Sequence, residues 1–316
     1  MASPETITRV VESCLKENIC GVEVLYNEPM AKHCTFKTGG PADCFIRPFG
    51  EGFPAFTASL LGAARAKGIN IFILGGGANI LASDSGIRGI VLDTGGWAGE
   101  EEGALRLRSG TSLDDAAMIA AKKGLCGLEF LAGMPGSIGG AVWMNARCYG
   151  REIADVLVET EVIDFSVSPA KTSRRPVNRA EFSYKRSPFQ GRCEFILSAS
   201  FKLSPGNTEE ILARMDANRR DREEKGHYRF PSAGSVFKNN PDFGKPTGKI
   251  IDELGLRGLQ IGGAKIADWH GNFIINTGTA SAADIRALTE EAAARVKKAT
   301  GFILEPEILF VGDWEE

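Results

Sequence analysis

The chain has 316 residues, which at roughly 100–200 residues per domain points to two domains, or two and a small third. Its 37 basic and 40 acidic residues leave a net charge of −3, with 43% hydrophobic residues, so a polybasic nucleic-acid or membrane-surface protein is excluded as the default. Glycine is the outlier: 38 residues, against about 22 at the usual ~7%, so parts of the chain need close backbone approach or positive φ.

Seven cysteines (Cys14, Cys20, Cys34, Cys44, Cys126, Cys148, Cys193) are scattered without a CxxC pair, and His33, His227 and His270 lack ligand spacing. Neither a disulfide scaffold nor a zinc ribbon is expected, and no metal. No basic-then-apolar leader opens the chain, and no apolar run approaches the ~18 residues of a membrane span. The expectation is a cytoplasmic, thiol-reduced protein with no nucleic-acid partner and no membrane insertion.

In chain order, Ser3-Pro4-Glu5 starts a helix carrying Ile7, Val10, Val11, Cys14 and Leu15 at helical spacing. A second helix covers about 52–67, and residues 69–74 read as a buried strand leading into Gly75-Gly76-Gly77-Ala78-Asn79. Residues 80–93 show no helical stripe and read as a turn and then a strand at 90–92. A dinucleotide-binding βαβ unit needs a helix there, and a P-loop needs Gly-Lys-Ser/Thr, so both glycine-loop readings are rejected. A helix at 112–123 is capped by Ser112 with Asp115 and closed by Gly124. Residues 124–150 then hold seven glycines in an otherwise apolar setting, which suggests buried backbone against a flat or bulky ligand. Strands follow over 156–203. A helix capped by Asn207, a short helix at 248–254, a strand at 273–276, a helix from Ser281 to about 298 and a strand at 303–311 complete the chain. The domain boundary is placed at 204–206, giving domains 1–204 (lobes about 20–93 and 94–204) and 205–316.

Taken singly, the chemical candidates are ambiguous. The N–H groups of Gly75–Asn79 can form a nest for a pyrophosphate or a plain tight turn. A serine in the turn 231–239 is usually structural, and no Asp/His pattern supports a hydrolase triad. Glu305 and Glu307, two apart on a strand, share a face and read as a solvated edge.

The ordered set is more specific. Gly39-Gly40-Pro41-Ala42, LGGGANIL (74–81), GLEFLAGMPGSIGGAVWMNA (127–146), YKRS (184–187), PSAGSVFKN (231–239), IGGAKIADWHGNFIINTG (261–278) and LEPEI (304–308) follow one another in this order. This resembles the UDP-N-acetylenolpyruvoylglucosamine reductases (UDP-N-acetylmuramate dehydrogenases), in their shorter class, over about residues 30–311. The resemblance implies an α+β fold: a two-lobed FAD-binding region of the vanillyl-alcohol-oxidase/PCMH type, then a smaller α+β substrate-binding domain. It implies bound FAD, NADPH as co-substrate, and reduction of the enolpyruvyl ether of UDP-N-acetylglucosamine in peptidoglycan precursor synthesis; the oligomeric state stays open, a monomer being slightly favoured. It also implies that Gly75, Gly76, Gly77, Ala78 and Asn79 hold the FAD pyrophosphate, and that Gly133, Pro135, Gly136, Ser137, Gly139, Gly140, Ala141 and Asn145 line the flavin. Ser235 is implied as proton donor and Glu307 as the enolate-holding carboxyl, with Tyr184, Lys225, Asn239 and His270 contacting substrate.

The chain departs from the family pattern at Lys185, where an arginine is usual, and at Arg147, where a glycine is usual. It departs again at Asn240 and at Gly226-His227. Lys185 is expected to do the arginine's work. If 184–187 is extended, Arg186 points the other way. Two other classes stay open: a flavin oxidase on the same FAD module, and a non-catalytic UDP-sugar or FAD-binding protein.

Overall fold

The computed structural model describes residues 3–17, 20–101 and 105–314, and the chain divides into two units interleaved in sequence. The first comprises Met1–Asn27, Asp43–Gly76 and Arg88–Arg220; the second comprises Glu28–Ala42, Gly77–Ile87 and Asp221–Glu316.

In the first unit the helix Pro4–Glu17 starts as expected, with Thr6 N donating to Ser3 Oγ (3.3 Å). Its buried face (Ile7, Val10, Val11, Cys14) shares a core with Phe53, Phe56, Leu60 and Leu61 of the helix Phe53–Ala66. Burying each such side chain contributes about 1.5–3 kcal/mol. A four-stranded sheet has the order Gly21–Pro29, Pro41–Phe49, Ile87–Asp93, Ile71–Leu74, with the last two strands parallel. A second, antiparallel sheet has the order Lys171–Pro176, Leu157–Asp164, Glu194–Phe201, Arg106–Arg108, Glu100–Glu101. Against it pack the helix Leu113–Lys122, capped by Ser112 as expected, and the helix Ile138–Met144.

The expected domain change at 204–206 does not coincide with the change of unit. Ser204–Pro205 pairs with Leu125–Cys126, and the helix Thr208–Glu224 stays with the first unit through Arg220. Ile211 and Met215 are buried in that unit's core, and Arg214 and Arg219 reach Glu129 (2.8 Å) and Asp114 (3.0 Å).

The second unit holds a three-stranded antiparallel sheet (Gln260–Ile261, Ala264–Ile266, Ile274–Asn276) and the helices Thr247–Glu253 and Ala282–Thr300. Ser281 and Asp284 form a full capping box, and Asp84 adds acceptors for the N–H groups of Ala282 (2.9 Å) and Ala283 (2.8 Å). Two expectations change here. Residues 80–82 form a strand rather than a turn, because Ile80–Ala82 pairs in parallel with Leu309–Val311. The last strand is correspondingly only Leu309–Val311, and Pro306 makes an isolated bridge to Phe237.

Candidate active site

In the first unit the strand Ile71–Leu74 delivers the chain into Gly75 and Gly76. A Cβ at Gly76 would lie 2.7 Å from the Cα and carbonyl carbon of Gly136, and one at Gly75 would lie 2.6 Å from Ser137 Oγ. The two glycine segments therefore lie backbone against backbone, and a side chain at Gly76 meets Gly136 itself, not only a ligand. Residues 133–139 are pinned elsewhere: Gly133 N donates to Asp114 Oδ1 (2.8 Å), Ile138 N to Thr111 O (2.9 Å) and Gly139 N to Ser109 O (2.8 Å). By contrast, the N–H groups of Gly75, Gly76, Gly136 and Ser137 have no acceptor among the described residues. Ser137 is only 4% exposed, and a buried N–H without a partner is rare in a finished structure. Ser137 caps the helix Ile138–Met144, in which Ala141 is buried and Gly140 exposed, and Pro135 is exposed just ahead of it.

Asn145 ends that helix at φ 46° and is fully buried. Its Nδ2 donates to Ser183 O (2.9 Å) and its Oδ1 accepts from Ala154 N (3.2 Å). Its side chain holds the loop that carries Tyr184.

In the second unit Gly77 has φ 60°, and a Cβ there would overlap His33 O at 1.9 Å, so only glycine fits. The N–H groups of Gly77, Ala78 and Asn79 also lack acceptors among the described residues. The Asn79 side chain does not point its amide at a nest: Nδ2 donates to Glu307 O (3.0 Å), while Asn79 O accepts from Leu309 N (3.0 Å).

Ser235 follows Gly234 (φ 74°) and bridges Phe273. Val236 N donates to Asn272 O (2.9 Å) and Phe237 N to Asn272 Oδ1 (2.9 Å), while Asn272 Nδ2 returns to Phe237 O (2.8 Å). On the other side Glu307 N donates to Val236 O (2.7 Å). Ser235 and Glu307 thus sit on adjacent, cross-bonded segments, and Ser235 Oγ has no partner among the described residues. Glu305 lies on the same cross-bonded segment, its carbonyl accepting from Lys238 N (2.9 Å), but its side chain is exposed and ion-paired to Lys238.

The other substrate candidates are distributed around this element. His270 lies 4.4 Å from the Phe273 ring, and its Nδ1 accepts from Asn272 N (3.1 Å), so the neutral ring carries its proton on Nε2. Burial lowers its pKa, and Arg257 and Lys225 add to this against Asp252. His227 packs edge-on against the same phenyl ring at 4.8 Å and is pushed down to about 4, first by burial and then by Arg222, His270 and Lys225. Lys225 is exposed and pairs with Asp221 (2.8 Å). Asn239 Oδ1 accepts from Thr247 N (2.9 Å), tying its turn to the helix Thr247–Glu253.

The 184–187 segment is not extended. Ser183 and Arg186 exchange backbone hydrogen bonds (3.1 and 3.0 Å), leaving Tyr184 and Lys185 at the tip of a two-residue turn, with Lys185 at φ 58°. The alternation argument that separated Lys185 from Arg186 therefore does not apply. What separates them is burial: Lys185 is half-buried and stacked over the Tyr184 ring (5.9 Å), and Arg186 is exposed. Arg147 lies over the same ring at 5.9 Å.

A family model described as "UDP-N-acetylenolpyruvoylglucosamine reductase, C-terminal domain" matches residues 226–311, and one described as "FAD binding domain" matches 57–166. A reductase of that name from Treponema denticola is 40% identical over 305 residues, covering 92% of this chain and 94% of the relative. One from Borreliella burgdorferi is 40% identical over 286 residues, covering 90% and 93%. The chain belongs to the UDP-N-acetylenolpyruvoylglucosamine reductase family. The crystal structure of the Thermus caldophilus family member aligns with a TM-score of 0.74 at 32% identity, covering 92% of this chain and 99% of that one. The fold class is the expected one, α+β, shared with that family member, with an FAD-binding domain matched in the first half of the chain.

The residues of this reductase fit FAD. A pyrophosphate needs N–H donors on backbone that can be approached closely, and the glycine segments supply donors with no protein acceptor. Two residues of the site were not singled out from sequence. Asn272 reads locally as part of a His-Gly-Asn turn, yet its amide clamps the Ser235 segment. Asp114 reads as first-turn helix chemistry, yet it holds both Gly133 and Arg219. Only a Gly-Asn pair beside an apolar strand hinted at the first.

Proposed function

We propose that the protein is an FAD-dependent oxidoreductase that uses NADPH to reduce the enolpyruvyl ether of UDP-N-acetylglucosamine to UDP-N-acetylmuramate, a step of peptidoglycan precursor synthesis. The observation that carries this reading is the Ser235–Glu307 element: two residues of the required chemistry on segments joined by Glu307 N to Val236 O (2.7 Å), in a chain of this family. When bound, FAD would supply the two-electron hydride chemistry that links NADPH to the terminal carbon of the enolpyruvyl group.

Electron density then gathers on the adjacent carbon and its carboxylate, and the chain's own residues manage it. Ser235 Oγ gives the proton to that carbon. A hydroxyl is a weak acid, so it serves only against a strongly basic carbanion and with its position fixed in advance, which the Asn272 clamp provides. Glu307 holds the enolate by donating a hydrogen bond from its protonated carboxyl. Lys185 supplies the positive charge that the substrate carboxylate calls for, and preorganised charge of this kind is usually the largest catalytic contribution. Tyr184, Lys225, Asn239 and the neutral, Nε2-protonated His270 hold the rest of the substrate. The working compartment is the cytoplasm, a reading supported by seven free thiols.

The test is an anaerobic titration of the flavin-loaded protein. NADPH should bleach the flavin, and enolpyruvyl-UDP-N-acetylglucosamine should restore its colour while UDP-N-acetylmuramate forms. Failure of the second step, with oxygen restoring the colour instead, would select a flavin oxidase.

A further inference from the structure

We infer that Asn79 is a positioning residue that makes the placement of Glu307 depend on how the Gly77–Asn79 loop is held. The inference rests on the reading that Glu307 acts on the substrate. Asn79 brackets Ile308 with two hydrogen bonds: Nδ2 to Glu307 O (3.0 Å) and Leu309 N to Asn79 O (3.0 Å). Ile308 is buried between them, and the second bond sets the register of Leu309–Val311 on Ile80–Ala82. Glu307 N in turn donates to Val236 O (2.7 Å), next to Ser235. A movement of Asn79 is therefore felt at both residues that handle the carbanion.

The same loop has three successive N–H groups, of Gly77, Ala78 and Asn79, without acceptors among the described residues. Gly77 is buried, so its N–H calls for a partner. An anionic group accepting from these donors would restrain the loop, and through Asn79 it would restrain Glu307. Binding of the cofactor's pyrophosphate and placement of the catalytic carboxylate then share one coupling free energy. On this view the Asn79 side chain is not a cofactor ligand; its backbone N–H serves the anion and its amide serves Glu307.

The experiment compares amide hydrogen exchange in the wild-type protein with and without FAD. Exchange at Glu307 and Leu309 should slow on loading by about 10-fold, equivalent to about 1.4 kcal/mol. In Asn79→Ala, which keeps the backbone donors, FAD loading should no longer protect Glu307. Reoxidation by the enolpyruvyl substrate should fall by about 10-fold, and combining Asn79→Ala with Glu307→Gln should add little to Glu307→Gln alone. If FAD protects neither amide in the wild type, the inference is overturned, and this holds whether or not the variant folds. It is also overturned if Glu307→Gln slows reoxidation and Asn79→Ala does not. If Glu307→Gln itself leaves reoxidation unchanged, the underlying role of Glu307 is what fails.

Discussion

Gly76→Ala and Gly140→Ala separate packing from cofactor contact. At Gly76 the new methyl lies 2.7 Å from two backbone atoms of Gly136, and Gly136 O is held by Leu113 N at 3.2 Å, so neither side yields easily. Overpacking of this kind costs about 1–3 kcal/mol in the apoprotein. At Gly140, inside the helix Ile138–Met144, a methyl meets, beyond its own helix backbone and chain neighbours, only Ser137 Oγ within 4 Å among the described residues, at 3.5 Å, an ordinary contact. Replacing a helical glycine by alanine there should stabilise the apoprotein by about 0.4–1 kcal/mol. If Gly140 lies on the flavin, however, that methyl takes ligand space, and a penalty of about 1–3 kcal/mol weakens FAD by roughly 5- to 150-fold. Thermal unfolding of both apoproteins and FAD titration by flavin fluorescence measure the two effects. Gly140→Ala should thus raise apoprotein stability while narrowing the stabilisation that FAD brings. Undiminished FAD affinity in a stabilised Gly140→Ala protein would remove this helix from the cofactor wall.

Ser235→Ala should leave flavin reduction by NADPH intact and cripple reoxidation by substrate; equal slowing of both half-reactions in stopped flow would make Ser235 structural. Glu307→Gln should behave alike, whereas Glu305→Gln, which removes only an exposed pair with Lys238, should matter little. Lys185→Gly should relieve a left-handed backbone worth about 1–2 kcal/mol and yet slow reoxidation by at least ~10-fold, with Arg186→Ala mild; the reverse order would transfer the role to Arg186. His227 is held neutral, with its folded pKa of about 4 below the ordinary 6.5, so the unfolded chain binds the extra proton between those values. Stability should therefore fall as pH drops from 6.5 towards 4, and His227→Gln should flatten that slope in pH-dependent denaturation.

Helix ends were legible because their chemistry is local. Ser112, Asn207 and the Ser281/Asp284 box each satisfy N–H groups within three residues, and each sits where its sequence placed it. The second unit's parallel pair was not legible, since Ile80–Ala82 becomes a strand only by meeting Leu309–Val311 from the far end of the chain. The turn at Tyr184–Lys185 was hidden for another reason: lysine rarely takes positive φ, so nothing in the local residues announced it.

Glu305 and Glu307 show most clearly what local reading lacks. On an ideal strand they would be equivalent, two residues apart on one face. Pro306 interrupts that strand, bridges Phe237 and leaves the two carboxylates in different surroundings. Glu305 accepts from Lys238 N at its carbonyl (2.9 Å) and turns its exposed carboxylate to the Lys238 ammonium, while the backbone of Glu307 is held both at its N–H, by Val236, and at its carbonyl, by Asn79, which lies 228 residues away. Backbone held on both sides of its Cα fixes where the Glu307 side chain starts, whereas Glu305 is held on one side and carries its carboxylate out to solvent. The order of motifs along the chain singled out Glu307; the hydrogen bonds supply the physical reason it differs from its neighbour.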